Sequence, residues 1–317
     1  MPEILITGAT GFVGKAVLQR LLAEDQSRCV AVAVRREVRQ WPVRVVQYMT
    51  GDLEPAADWS VALGGVSVVV HCAARVHVMA DTAVNPLAEF RRVNVQGTLN
   101  LARQAAAAGV RRFVFVSSIG VNGAETFQRP FTAHDEVAPH SPYAVSKYEA
   151  ELGLQALAAE TGMEVVIIRP PLVYGLGAPG NFGSLMRWLQ RGVPLPLGAI
   201  HNQRSLVALD NLVDLIVTCL THPAATNQIF LVSDGEDVTT TELLRRMSQA
   251  LGCPARLAPV PVSWLKLAAA IVGKSDVAQR LCGSLQVDID KTRSLLGWSP
   301  PLSLDEGLKK VAEGLRV

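Results

Sequence analysis

Short runs of β-branched and apolar residues alternate with longer helical patterns through the first half of the chain. No other feature narrows the fold as far. The runs cover residues 3–7, 29–34, 44–48, 66–71, 112–117 and 164–169, and helical patterns at 12–23, 86–108 and 143–161 lie between them. The stretch "LARQAAAAGVRRFVFVSS" shows one change of period: an alanine-rich helix, Gly109 as its stop, then a strand apolar at nearly every position. Strands without polar alternation are buried on both faces, so the pattern predicts an α/β chain with a doubly wound parallel sheet. At 317 residues, 49% of them hydrophobic, the chain can bury a substantial core. After Arg169, "RPPLVYGLGAPGNFG" reads as a long loop. Helices dominate beyond it, with short strands expected at 205–209 and 228–232. Two parts are therefore expected: residues 1–170 as the sheet domain, and 171–317 as a smaller, mostly helical lobe with some segments returning to the sheet.

The first strand runs into "ITGATGFVG", with Gly8, Gly11 and Gly14 three apart, and a helical pattern follows. In that setting Gly8 permits a tight turn, Gly11 lets backbone approach a pyrophosphate, and Gly14 lets helix pack on strand. The helix start then offers free N–H groups and a positive dipole to phosphates. This is the Rossmann arrangement for a dinucleotide, and the 1–170 domain is expected to hold NAD or NADP. NAD enzymes usually place an acid after the second strand, but "VAVAVRRE" puts Arg35 and Arg36 there. A guanidinium can hold a 2′-phosphate bidentately, which favours NADP(H) with NAD(H) possible. "TGDL" sets Asp52 and Leu53 at the end of the third strand, where a carboxylate can meet the adenine amino group.

Composition removes several alternatives. A net charge of +2 implies neither a nucleic-acid nor a membrane-surface partner. The five cysteines include no C-x-x-C pair, as expected of reduced thiols in a cytosolic protein. The histidines show no metal-ligand spacing, and His71 is expected at a strand end beside the cofactor. No signal peptide is expected, because Glu3 and the glycine turn interrupt the start. The most apolar late stretch, 267–272, is too short to span a bilayer and reads as an amphipathic core helix.

"SPYAVSKYEAE" places Tyr143 and Lys147 four apart, on one face of a helix. A tyrosine pKa near ~10 is too high for a proton carrier at neutral pH, and a lysine one turn away is expected to lower it. "FVFVSSIG", a strand ending in two serines, lies upstream. A hydroxyl at that edge can hydrogen-bond a substrate oxygen.

With "TGATGFVG", "GDL", "HCAAR", "VNVQGTLNL", "VSSIGV", "YAVSK", "RPPLVYG", "RSLVALDNLVD" and "LGWSP", the chain resembles the extended short-chain dehydrogenases/reductases, in their nucleotide-sugar branch. The resemblance implies Tyr143 as general acid/base, Lys147 as its partner and a holder of the nicotinamide ribose, and Ser118 as the catalytic serine, also touching substrate. It implies Ser117 as the preceding structural serine, beside the cofactor. Thr10, Phe12 and Val13 join the glycines at the cofactor, as do Ala73, Ala74, Pro170, Pro171 and Val173. Asn94 resembles an asparagine that steadies the active-site helix at the cofactor's edge. Arg204 resembles the arginine that grips a sugar nucleotide's diphosphate, and Asn181 and Phe182 lie where such enzymes contact the nucleotide. Asn122 stands where relatives carry a tyrosine, a departure that affects substrate placement. Helices 86–108 and 143–161 resemble the pair that forms a homodimer contact.

The activity so implied is hydride exchange at C4 of a UDP-linked sugar in the cytoplasm, with no metal. Arg35 favours a 4-keto-6-deoxy-N-acetylhexosamine reductase of surface-polysaccharide (O-antigen) precursor synthesis, with a UDP-hexose 4-epimerase as the alternative. Relatives that dehydrate carry an Asp–Glu pair after the catalytic serine or threonine. Ile119 and Gly120 stand there instead, so loss of water is not expected. A non-catalytic NADP sensor would lack the Tyr–Lys pair, and a sterol or flavonoid reductase would not need Arg204.

Overall fold

The computed structural model describes residues 3–76, 85–271, 273 and 275–316. Seven parallel strands form the main sheet: β1 Ile4–Thr7, β2 Val30–Val34, β3 Val45–Met49, β4 Val68–His71, β5 Arg112–Val116, β6 Glu164–Arg169 and β9 Ile229–Leu231. Their order is β3-β2-β1-β4-β5-β6-β9, the doubly wound order. A second sheet holds β7 Leu172–Tyr174, β8 Arg204–Ala208 and β10 Asp237–Val238, in the order β10-β8-β7. The helices are α1 Phe12–Glu24, α2 Pro86–Phe90, α3 Thr98–Ala107, α4 Pro142–Thr161, α5 Asn181–Gln190, α6 Leu209–Thr221, α7 Thr240–Leu251, α8 Val262–Ile271, α9 Ser275–Cys282, α10 Asp290–Leu296 and α11 Leu304–Gly314.

Side chains on neighbouring strand positions point to opposite faces, and here both faces are covered. Ile4 and Ile6 enter one core with Val17, Leu21, Leu212 and Ile216 of α1 and α6. Leu5 enters the other with Leu101, Ala105, Leu154 and Leu157 of α3 and α4. That double burial explains why the strands read as continuous apolar runs. A third core fills the lobe around Tyr174, Met186, Leu244 and Leu308. Segments beyond residue 170 rejoin the main sheet: β9 pairs with β6, α6 covers α1, and Trp298 is buried in the first core, its indole N–H bonded to Asp214 Oδ1 at 2.9 Å. Asp234 joins the two sheets by accepting from Tyr174 Oη, Ala208 N and Asn211 Nδ2.

Three features differ from the sequence reading. The proline-glycine stretch after Arg169 is not all loop, because Leu172–Tyr174 pairs with β8. The 86–108 helix is interrupted by a π-helical segment, Arg91–Gly97, which turns Asn94 and Gly97 inward. A Cβ at Gly97 would sit 2.6 Å from Leu53 O, so only glycine allows this approach. The helix read as core at 267–272 is α8, which has no buried residue (Val272 lies outside the described residues). Among the described residues, no helix is long and apolar enough to cross a membrane.

Candidate active site

All main-sheet strands run the same way, so their carboxyl ends share one edge. The order reverses between β1 and β4, the switch point where ligands bind in such sheets. The glycine turn lies there. Gly8 has φ +71°, and a Cβ on it would meet Ala73 N at 2.7 Å, which presses the turn against the end of β4. A Cβ on Gly14 would sit 2.3 Å from Gly8 O, so α1 also needs glycine to reach the strand. The N-cap of α1 is Gly11, and no side chain caps the helix. Thr10 and Gly11 are exposed, and Phe12 and Val13 are half-buried. This cradle fits the pyrophosphate of a nicotinamide dinucleotide, with first-turn N–H groups as donors. Ala73 and Ala74 border it, half-buried.

At the end of β2, Arg35 and Arg36 are exposed, and the Arg35 guanidinium lies 3.6 Å from Asp52 at the end of β3. Leu53 is buried and faces Gly97.

Ser141 caps α4 by accepting from Ala144 N, and Pro142 opens the helix. In that first turn, Tyr143 packs edge-on to Phe90, with ring centroids 6.1 Å apart. Ser118 caps a 3₁₀ turn at the end of β5, its Oγ accepting from Gly120 N at 3.1 Å. A Cβ at Gly120 would lie 3.4 Å from Ala144 Cβ, so this turn rests on the first turn of α4 and sets Ser118 near Tyr143. Ile119 N bonds Pro170 O at 2.9 Å, drawing the end of β6 to the same place. Pro170 is buried there, and Val173 is half-buried two residues beyond the buried Pro171.

Lys147 is buried, donates to Val116 O at 2.7 Å and lies 4.1 Å over the Phe115 ring. Burial brings it down to about 8, with Glu151 and Cys72 acting in the opposite sense. Tyr143 is not lowered as its spacing from Lys147 suggested: burial raises it to about 12. The lysine cation points at a carbonyl and an aromatic face, so desolvation of the phenolate decides Tyr143.

Several assigned residues serve the protein itself. Asn94 is buried, accepts from Arg75 N, and donates to Arg75 O and to Ser146 Oγ on α4, so its amide is used up holding the site together. Ser117 is buried and donates to Glu151 rather than facing a cofactor. Asn122 is buried, donating to Thr132 O and accepting from Arg169. His71 ends β4, as expected. It is fully buried between Thr7 and Thr98, at 2.7 and 2.9 Å, and lowered to about 3 by burial and then by Lys147. Phe182 packs in the lobe core, its ring 5.3 Å from Tyr174, and does not line a nucleotide site. Asn181 opens α5.

Arg204 starts β8 and bonds Gly283 O at 3.2 Å. Its pKa is lowered by burial and by the like charge of Arg280, against the opposing pull of Glu125. Arg280, on α9, went unnoticed in the sequence because α9 lies far along the chain. Two neighbouring guanidinium groups suit an anion of more than one charge. Glu151 also went unnoticed. It is buried with Arg169, Nη2 to Oε2 at 2.5 Å, one turn beyond Lys147. Among the described residues, no cluster of His, Cys, Asp and Glu could hold a metal.

The doubly wound sheet, the glycine cradle at its switch point and the serine–tyrosine–lysine set beside it define a dinucleotide-binding oxidoreductase of the extended short-chain dehydrogenase type. Residues 4–233 match the profile of the NAD dependent epimerase/dehydratase family, and the chain belongs to it. A Vibrio cholerae protein named UDP-glucose 4-epimerase is 50% identical, over 99% of this chain and 95% of that one. Two solved structures superpose with TM-scores of 0.77. The UDP-glucose 4-epimerase of Thermotoga maritima with UDP-glucose is 24% identical, covering 99% of this chain and 98% of that one. A dTDP-glucose 4,6-dehydratase from Streptomyces venezuelae with NAD is 26% identical, covering 99% and 96%.

Proposed function

We propose that the protein interconverts the C4 epimers of a UDP-linked hexose or N-acetylhexosamine. The observation that carries this reading is the tyrosine–lysine pair on α4 set against Ser118 at the cofactor cradle, with Ile119 and Gly120 following the serine. The likeness to the Vibrio cholerae relative named UDP-glucose 4-epimerase supports it. When bound, the nicotinamide cofactor takes up and returns a hydride at sugar C4. Tyr143 moves the C4 hydroxyl proton, and Ser118 hydrogen-bonds the same oxygen. Lys147, lowered to about 8, keeps its proton at neutral pH and supplies positive charge behind the tyrosine. Arg204 and Arg280 hold the diphosphate. Ile119 and Gly120 carry no side-chain acid or base, so elimination of water has no proton shuttle beyond tyrosine.

A second reading, 4-keto reduction with NADPH toward surface-polysaccharide precursors, is favoured by Arg35 and Arg36 at the end of β2. In either case the reading includes a cytosolic homodimer joined through the 86–108 helical stretch and α4.

Purified enzyme is incubated with UDP-glucose or UDP-N-acetylglucosamine and no added cofactor, and the products are separated. Epimerisation predicts the C4 epimer with no net change in cofactor. The reductase reading predicts no such product, and NADPH oxidation only with a UDP-4-keto sugar. In both, Tyr143→Phe is expected to lower turnover by at least ~10²-fold while cofactor binding stays near normal. Normal turnover in that variant removes Tyr143 from the chemistry.

A further inference from the structure

Charge is nearly balanced over the whole chain, with 30 Lys+Arg against 28 Asp+Glu. Two stretches of the lobe break this balance locally. Residues 181–208 and 243–271 contain no Asp or Glu, while Arg187, Arg191, Arg256 and Lys266 lie within them. These two stretches adjoin in the fold: Leu195 and Leu257 form a parallel bridge, and Arg256 Nη1 lies 3.5 Å from Gly192 O.

The same region carries unusual apolar exposure. On α8, Val262 and Leu265 lean on the lobe core. Trp264, Leu267 and Ile271, at i, i+3 and i+7, share the other side and are 71%, 64% and 78% exposed. Trp188 and Val193, at the end of α5, are 45% and 40% exposed. Arg256 and Lys266 are exposed among them.

We propose that this face, α8 with the end of α5, docks reversibly on an anionic phospholipid bilayer. The argument is charge complementarity joined to apolar exposure. A helix with tryptophan and long aliphatics outward, and with Lys266 and Arg256 exposed among them, suits acyl chains below a layer of negative headgroups. Tryptophan is at home at that boundary, where its ring is apolar and its N–H stays wet. Ten residues of helix cannot cross the bilayer, so α8 lies in its plane. The proposal goes beyond the reaction and does not depend on which sugar is turned over.

The full-length protein is sedimented with vesicles of phosphatidylcholine alone, or with one quarter phosphatidylglycerol, at low and high salt. Binding is expected only to the anionic vesicles, weaker at high salt, with a blue shift in tryptophan emission that Trp264→Phe largely removes. Lys266→Gln is expected to lower the partition coefficient about fivefold. Leu267→Ser/Ile271→Ser is expected to abolish binding, with turnover of soluble substrate unchanged. Equal sedimentation with both vesicle types, or with neither, overturns the proposal, as does binding in the double variant equal to the parent's. Two other results overturn it by naming another role: a dimer in the parent that becomes monomer in the double variant assigns the face to a second copy, and lost turnover of soluble substrate assigns it to the active site.

Discussion

At the scale of single residues, burial governs the titrating groups around the site more than their spacing does. Tyr143 is raised and Lys147 lowered by the same desolvation, because one acquires charge on losing a proton and the other on gaining it. His71 shows the consequence for stability. Its folded value is lowered to about 3 from an ordinary 6.5. Between those values the unfolded chain binds a proton that the folded chain refuses, so the stability His71 contributes is complete above pH 6.5 and is lost as pH falls toward 3. The slope in that window is about 1.4 kcal/mol per pH unit. His71→Gln can still bond Thr7 and Thr98 but cannot titrate. Its unfolding free energy in urea, measured from pH 7 to pH 4, is expected to fall less steeply by about that amount per unit. Parallel profiles for variant and parent would show that His71 takes no proton on unfolding.

At the scale of elements, α4 and β6 are joined by a buried ion pair whose carboxylate also acts on Lys147. Glu151 and Arg169 are 1% and 3% exposed, and Ser117 and Asn122 complete their hydrogen bonds. Removing one partner leaves a buried charge uncompensated, which typically costs about 3–5 kcal/mol. Glu151→Leu is therefore expected to destabilise by that order in guanidinium unfolding, and Glu151→Leu/Arg169→Met by clearly less than the sum of the single changes. Glu151 also raises Lys147, so the milder Glu151→Gln should shift the alkaline limb of activity to lower pH. An unshifted limb would mean that Glu151 only holds the two elements together. The motif around Tyr143 and Lys147 was legible from spacing four along one helix. Glu151 has the same spacing beyond Lys147, but its partner Arg169 stands on another element, and nothing local announces the pair. The π segment was equally hidden. Residues 86–108 suit a plain helix, and the slip turns on Gly97 meeting Leu53 O.

At the scale of the whole molecule, the cofactor cradle gathers the ends of β1, β2, β4, β5 and β6, so bound dinucleotide links most of the sheet. A ligand at 100 times its dissociation constant stabilises by about 2.7 kcal/mol, or a few degrees in a chain of this size. If Arg35 reads a 2′-phosphate, NADPH should raise the melting temperature more than NADH at equal concentration. Arg35→Asp should reverse the order, by losing a ligand and adding repulsion. Arg35 is 77% exposed and pairs with Asp52. Equal shifts from the two cofactors, unchanged in the variant, would reduce Arg35 to that surface ion pair.

The sequence by itself determined what depends on neighbours along the chain. Apolar runs and helical periods fix strand and helix, a glycine turn between them fixes the cradle, and the Tyr–Lys spacing fixes one helix face. The run 164–169 coincides with β6, and most other strand edges moved by a residue or two. Tertiary structure decided where each face points and what it meets, because burial is set by partners far away in sequence. Phe182 sits in a segment expected at the nucleotide, yet Tyr174 and the lobe core draw it in. Arg280 comes beside Arg204 only through the path of α9. Residues 267–272 read as a core helix by hydropathy, yet on α8 only Val262 and Leu265 lean on the lobe core, and Trp264, Leu267 and Ile271 stay on the surface. Periodicity tells a helix which face is apolar, but only packing decides whether anything covers it.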